Sequence, residues 1–199
     1  VGTVVSKGRR HLVDRLGLVD EVLVVNDHSS DDTAKVAAAA GARVVDAAEV
    51  LADVAGGSGK GEALWRSLYV AKGDIVVWVD ADITDFGSRF IVGLVGPLLT
   101  DPRISYVKGY YERPTNGGVG GGRTTELVAR PLLATLFPHL STIVQPLSGE
   151  FAGRRSLLER LPFVRGYGVD IGLLIDAAED VGPAGIVQVD LGTRVHRNR

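Results

Sequence analysis

Residues 73–82 have the sequence GDIVVWVDAD, an apolar run that ends in two carboxylates. The β-branched and aromatic side chains of residues 75–79 predict a strand buried on both faces. Asp80 and Asp82 follow at its carboxyl end, where open α/β sheets bind ligands. Alternate residues of an extended segment point the same way, so both carboxylates can face one hard divalent cation that bridges phosphates. An Asp-x-Asp triplet also occurs in solvated loops, so the interpretation depends on the strand before it.

A strand, a helix and a second strand precede this segment. The patterns predict strands at 21–25 and 42–45, and a helix at 33–40 that Ser30 or Asp31 can cap. Such a unit implies parallel pairing and a right-handed crossover.

The rest of the chain continues as one α/β domain. Helices are predicted at 62–71, 90–99, 125–136 with an interruption at Pro131, 155–160 and 171–180, and strands at 105–111 and 186–190.

Composition narrows the function classes. The 199 residues carry a net charge of -2, which provides no broad basic field for nucleic acid or an anionic membrane. The apolar runs are shorter than the roughly 18 residues of a membrane-spanning helix. The absence of cysteine fits a reducing cytoplasm. The chain starts at Val1 and contains no methionine, so we expect a further strand to precede the first segment.

Two residues near the predicted sheet edge are candidates for nucleotide binding. Asp27 ends the 21–25 strand and can accept hydrogen bonds from a ribose or base, or cap the next helix. Lys60 lies in the glycine-rich run 56–61, but Gly61 replaces the hydroxyl residue of a Walker loop. At a helix amino terminus Lys60 can hold a phosphate or a base; otherwise it is a solvated lysine.

Three sites in the second half carry polar groups suited to anions or metals. His196, close to Arg194, could ligate a metal or be a surface group. Arg123 and Thr125, after a glycine-rich loop, suit a phosphate or carboxylate, although Thr125 could simply cap a helix. Asp170 is a site carboxylate or a helix cap.

Five stretches together match one family. They are GKGEALWRSL at 59–68, DAD at 80–82, TELVARPLL at 125–133, QPLSGE at 145–150 and HRNR at 196–199. They resemble the glucosyl-3-phosphoglycerate synthases and the similar actinobacterial mannosyl-3-phosphoglycerate synthases, over nearly the whole chain.

This resemblance implies a GT-A fold, a Rossmann-like, mostly parallel sheet with helices on both faces. It implies a nucleotide-sugar part at about 1–112 and an acceptor-side lobe at about 113–199. The activity would be retaining transfer of a hexose from GDP-mannose, UDP-glucose or GDP-glucose to the 2-hydroxyl of 3-phosphoglycerate. The product would be a precursor of a compatible solute or polysaccharide. Such enzymes use Mg²⁺ or Mn²⁺ and are usually homodimers.

The resemblance also assigns roles to individual residues. Asp82 and His196 would hold the metal, and Asp170 and Asp82 would be catalytic. The donor side would comprise Asp27, Lys60, Asp80, Ala81, Asp82 and Arg194, and the acceptor side Gly122, Arg123, Thr125, Tyr167 and Asn198.

Two departures affect the predicted donor. The glucosyl enzymes have Glu where this chain has Asp170, and Ser where it has Ala81. A carboxylate one methylene shorter changes the reach toward the sugar, which favours a mannosyl or dual-donor enzyme.

Two other classes compete with this interpretation. A metal-dependent sugar nucleotidyltransferase shares acidic metal sites and glycine loops, but releases pyrophosphate. A non-catalytic sugar-nucleotide-binding module would bind the donor without turnover.

Overall fold

The computed structural model describes residues 1–54, 56–115, 118–119 and 122–195. Its strands are β1 (Leu23–Asn26), β2 (Arg43–Asp46), β3 (Ile75–Trp78), β4 (Tyr106–Glu112), β5 (Pro114–Thr115), β6 (Gly118–Val119), β7 (Phe151–Arg154) and β8 (Ile186–Thr193). Its α-helices are α1 (Gly2–Gly8), α2 (Thr33–Ala39), α3 (Lys60–Val70), α4 (Ser88–Thr100), α5 (Arg130–Leu136), α6 (Arg155–Leu158) and α7 (Val169–Val181). Segments Arg9–Arg15 and Thr125–Ala129 are π-helical.

The predicted βαβ unit is confirmed. Strands β1 and β2 pair in parallel, with Leu23 opposite Arg43, and α2 forms the crossover. The Asp31 carboxylate accepts a hydrogen bond from the Thr33 amide at 3.0 Å, which supports the start of α2.

The four-stranded sheet has the order β3-β7-β4-β8 and is mixed. Strand β7 runs antiparallel to both β3 and β4, whereas β4 and β8 are parallel. The α/β fold is confirmed, but this sheet is not mostly parallel as predicted. Local residue patterns do not show the direction in which a strand runs in a sheet. The short segment of β7 also carried no clear strand pattern of its own.

Helices cover both faces of this sheet. In α4 the buried residues include Phe90, Leu94 and Leu98, which repeat every fourth position and pack on one face. In α7, Leu173 and Leu174 are fully buried on the other face. The sheet edge between these layers carries the candidate site.

One predicted helix differs in its interior. Helical residues run without a break from 123 to 136, and the helix changes from π to α between Ala129 and Arg130, directly before Pro131. Proline lacks the N–H that would continue the hydrogen-bond pattern, which fits a change of helix type at this point.

A cavity of about 510 Å³ separates β1 from β3. Among the described residues, β1 pairs only with β2, and β3 pairs only with β7. Apolar side chains of both strands line the cavity, Val24 and Val77 among them. The expected further strand stays a prediction.

No helix within the described part of the chain is long and apolar enough to span a bilayer.

Candidate active site

Four elements meet at the carboxyl end of β3. Trp78, the last residue of β3, lies opposite Phe151, the first residue of β7. Asp80, just after β3, and Glu150, just before β7, therefore lie at the same sheet edge. Arg194 directly follows β8 and reaches this edge as well. The amino termini of α3 and α7 supply Lys60 and Asp170.

Lys60 joins the first aspartate of the triplet to α7. Its Nζ lies 3.2 Å from Asp80 Oδ1 and 2.9 Å from Asp170 Oδ1. A Cβ at Gly61 would overlap the carbonyl oxygen of Val164, so glycine lets α3 approach the segment before α7. This close approach explains the glycine that breaks the Walker pattern. Lys60 is therefore an ion-paired site residue and not a solvated loop lysine.

Arg194 contacts three carboxylates at once. Its Nη2 lies 2.8 Å from Asp80 Oδ2 and 3.5 Å from Asp82 Oδ1, and its Nε lies 3.0 Å from Glu150 Oε1. The guanidinium carbon lies 5.0 Å from the centre of the Tyr111 ring, within cation–π range. Asp80 and Asp82 thus face one cationic group together, although residues 81–82 form a turn and not the extended segment that was expected.

Asp170 points into the site. Its side chain is buried and contacts Lys60, so the carboxylate is not used as a helix cap. Burial raises the pKa of Asp170, and the positive charges of Lys60 and Lys108 partly oppose this rise. For Lys60, burial disfavours the charged form, but Asp80 and Asp170 outweigh it and raise the pKa.

A second lysine supports Asp170 from inside the sheet. Lys108 is only 1% exposed, and its Nζ donates a hydrogen bond to the main-chain carbonyl of Asp170 at 2.8 Å. The ammonium also lies 4.8 Å from the centre of the Phe151 ring. Burial lowers the pKa of Lys108 to about 8, although the nearby carboxylate of Asp170 favours its charged form.

Glu150 is the most buried carboxylate of the site. Burial raises the pKa of Glu150, Asp80 raises it further, and Arg194 lowers it. Together with Asp80, Asp82 and Asp170 it makes four carboxylates against the three cations Lys60, Lys108 and Arg194. Among the described residues, no three acidic or histidine side chains are grouped closely enough to hold a metal ion by themselves, and Asp80 and Asp82 are the pair that shares one cationic partner.

Asp27 lies beside the loop that precedes α3. Its Oδ2 accepts a hydrogen bond from the Gly59 amide at 2.7 Å, and its Oδ1 lies 2.7 Å from His28 Nδ1. Asp27 therefore ties the end of β1 to the start of α3 and does not cap α2. The amide that it binds belongs to Gly59, the residue directly before Lys60.

The predicted acceptor residues are less closely gathered. A Cβ at Gly122 would lie 3.6 Å from Arg113 Nη1, and Arg113 Nη2 donates to the Tyr111 hydroxyl at 2.9 Å. Arg123 is exposed and Thr125 is buried. Tyr167 is 80% exposed.

Three further predicted residues remain to be placed. Ala81 is exposed beside the two aspartates. His196 and Asn198 lie outside the described residues, so their roles stay predictions.

Sequence reasoning missed the roles of Glu150, Lys108 and Tyr111. A lysine inside the apolar strand segment YVKGYY was a visible signal for Lys108, because an unpaired charge is rarely buried. Glu150 belonged to a matched motif, but its contact with Arg194 spans 44 residues and no local pattern encodes it.

The chain is similar to several known proteins. The sequence model of "Glycosyl transferase family 2" matches residues 10–161. A glucosyl-3-phosphoglycerate synthase from Petrotoga mobilis is 50% identical over 196 residues, covering 96% of this chain and 60% of that protein. One from Mycobacterium tuberculosis strain H37Rv is 54% identical, covering 94% of this chain and 60% of that protein. The chain therefore spans about 60% of the length of these relatives.

A solved structure is similar over the same extent. The M. tuberculosis glucosyl-3-phosphoglycerate synthase in complex with Mn²⁺, UDP-glucose and phosphoglyceric acid matches with a TM-score of 0.89 at 52% identity. The match covers 99% of this chain and 68% of that one.

Proposed function

This chain belongs to glycosyl transferase family 2, and on that basis we propose that it transfers glucose from UDP-glucose to the 2-hydroxyl of 3-phosphoglycerate. One observation carries the proposal: Lys60, Arg194 and Asp170 converge on the Asp80-Ala81-Asp82 triplet at the end of β3. The similar relatives are glucosyl-3-phosphoglycerate synthases, and the solved one binds UDP-glucose and phosphoglyceric acid.

The acidic end of β3 fits Mg²⁺ or Mn²⁺. Asp80 and Asp82 offer hard oxygen donors, and both already reach the same guanidinium of Arg194. Asp82 would hold the ion together with His196. When bound, such an ion neutralises charge that develops on the leaving nucleoside diphosphate.

Lys60 and Arg194 would supply the positive charge on the donor side. Both are held by carboxylates at fixed distances, so they need little reorganisation to meet a diphosphate or a sugar hydroxyl. Asp27 would orient the loop before α3 near the nucleoside, through its bond to the Gly59 amide.

Asp170 would lie at the reacting sugar. Its carboxylate would orient the acceptor hydroxyl or stabilise positive charge on the ring during a transfer with retention. The contact with Lys60 favours the ionised form that this role needs, although burial opposes ionisation.

The acceptor would bind on the side of residues 122–125. Arg123 is exposed and offers a guanidinium for the phosphate, while Gly122, Thr125, Tyr167 and Asn198 would complete the site. Arg113, whose Nη1 would lie 3.6 Å from a Cβ added at Gly122, bonds to the Tyr111 hydroxyl, and the Tyr111 ring packs on Arg194.

We also propose that the protein is a cytoplasmic homodimer. The helical stretch 125–136 exposes Val128, Leu132 and Leu136 at every fourth position, and an exposed apolar stripe of this kind favours association. Light scattering on the purified protein would test the oligomeric state.

Product identification tests the activity. The full-length protein is incubated with Mn²⁺ or Mg²⁺, 3-phosphoglycerate and, separately, UDP-glucose, GDP-glucose or GDP-mannose. We expect glucosyl-3-phosphoglycerate from UDP-glucose, with NMR showing that the anomeric configuration is retained. Mannosyl product alone would overturn the donor assignment. Pyrophosphate release from UTP and a sugar phosphate would identify a nucleotidyltransferase, and donor binding without product would identify a binding module.

Substitution of Asp82 tests the metal assignment. We expect Asp82→Ala to lower turnover by about 100-fold or more, because an electrostatic partner of the leaving group is lost. The exposed Asp14→Ala variant is the matched control and should stay active. Full activity in EDTA would contradict the assignment.

A further inference from the structure

The turn Ser148-Gly149-Glu150 touches the candidate site but has no role in the function proposed above. Glu150 is fully buried, and its main-chain carbonyl accepts a hydrogen bond from the Gly109 amide at 2.9 Å. Its Oε2 lies 3.1 Å from Ser148 Oγ, which donates to it. Both the main chain and the side chain of Glu150 are therefore anchored.

Glu150 and the aspartate triplet contact different nitrogens of the Arg194 guanidinium. Nη2 contacts Asp80 and Asp82, whereas Nε lies 3.0 Å from Glu150 Oε1, in an ion pair that lacks the alignment of a hydrogen bond. Arg194 is itself only 3% exposed, so these carboxylates and the Tyr111 ring determine where the guanidinium lies.

The same turn also contacts Asp80. A Cβ at Gly149 would lie within 2.7 Å of the Asp80 carboxylate, so this carboxylate rests directly on the glycine. One turn thus sets the position of Asp80 through Gly149 and of Arg194 through Glu150.

We propose that Glu150 is a positioning residue for the donor site, which limits how tightly Arg194 holds Asp80 and Asp82, so that a divalent cation can displace Arg194 from them. Without its charge, Arg194 interacts more strongly with the two aspartates and competes with the cation for them. The inference rests on the proposed function only for the identity of the cation and nucleotide.

A buried ion pair elsewhere in the chain provides the matched control. Glu62 and Arg66, both buried in α3, pair at 2.8 Å. Arg66 also donates to the Ala47 carbonyl, away from the aspartate triplet. Glu62→Gln therefore removes the same kind of charge without changing the restraint on Arg194.

The test measures Mn²⁺ binding by electron paramagnetic resonance, in the full-length protein with UDP present. We expect Glu150→Gln to raise the Mn²⁺ Kd about tenfold and Glu150→Asp to restore part of this loss. Glu62→Gln should stay within about twofold of the parent protein. The milder Ser148→Ala removes the donor to Oε2 and the acceptor of the Glu150 amide but keeps the charge. It should raise the Kd about threefold and covers the case in which Glu150→Gln does not fold.

A double-variant cycle separates positioning from a general charge effect. In an Arg194→Gln background, the added change Glu150→Gln should alter the Kd by no more than about twofold. A tenfold effect that persists without Arg194, equal effects of Glu150→Gln and Glu62→Gln, or no Mn²⁺ binding by the parent protein would overturn the inference. If the parent protein binds Mn²⁺ and UDP but forms no glucosyl product, the proposed function fails and the positioning role is unaffected.

Discussion

In the parent protein we expect the free energy of unfolding to rise between pH 8 and pH 10, and replacing Lys108 by methionine should remove this rise. Lys108 is buried inside the sheet, where its ammonium donates to the Asp170 carbonyl. Burial lowers its pKa from 10.5 to about 8. Methionine keeps an unbranched side chain of similar length but cannot titrate.

The sign and size of the effect follow from proton linkage. Between pH 8 and pH 10.5 the unfolded chain carries a proton on this lysine that the folded protein has mostly lost. Stability therefore rises with pH in this window, and the contribution is lost as the pH falls through 8. The two pKa values give a change of about 2 kcal/mol between pH 8 and pH 10. Burial and Glu150 raise the pKa of Tyr111 to about 12. Above pH 10 this tyrosine makes the stability fall with rising pH, so the window ends there.

Urea unfolding followed by tryptophan fluorescence at pH 8, 9 and 10 measures this contribution. The quantity of interest is the difference between the parent protein and Lys108→Met at each pH, since other titrating groups cancel in it. Lys35→Met, at an exposed lysine, is the control and should follow the parent protein. A Lys108→Met protein whose stability rises as steeply as that of the parent protein would refute the assigned pKa.

Two further predictions concern the proposed reaction. Arg123→Ala should raise the acceptor KM by roughly 10- to 150-fold, through loss of a charge-assisted contact of about 1.5–3 kcal/mol, with the donor KM unchanged; a raised donor KM instead would reverse the donor and acceptor assignments. Asp170→Asn should lower kcat by about 100-fold, because the amide keeps the size of the side chain but not its charge. Asp170→Glu should change the ratio of glucosyl to mannosyl transfer, and normal kcat in the Asn variant with an unchanged ratio in the Glu variant would leave Asp170 a structural role.

Much of the fold was predictable because its signals are local. The apolar run before Asp80 defines β3, and the alanine-rich segment between two short strands defines α2 and its parallel crossover. Strand β7 was not predicted, because four residues with two small side chains carry little periodicity and no direction.

The candidate site was likewise predictable only in part. Asp80 and Asp82 were recognisable as a pair from their spacing after the apolar run, although residues 81–82 form a turn and not an extended segment. Their partners come from far along the chain: Arg194 lies 114 residues from Asp80, and Lys60 lies 110 residues from Asp170.

The sequence by itself determined which chemical groups stand at the end of β3. Only the tertiary structure decided which of them are buried, which carboxylates share Arg194, and that Glu150 and Lys108 belong to the site. The physical reason is that burial and ion pairing depend on distances across the sheet, and those distances are set by the antiparallel entry of β7 and the parallel pairing of β4 with β8.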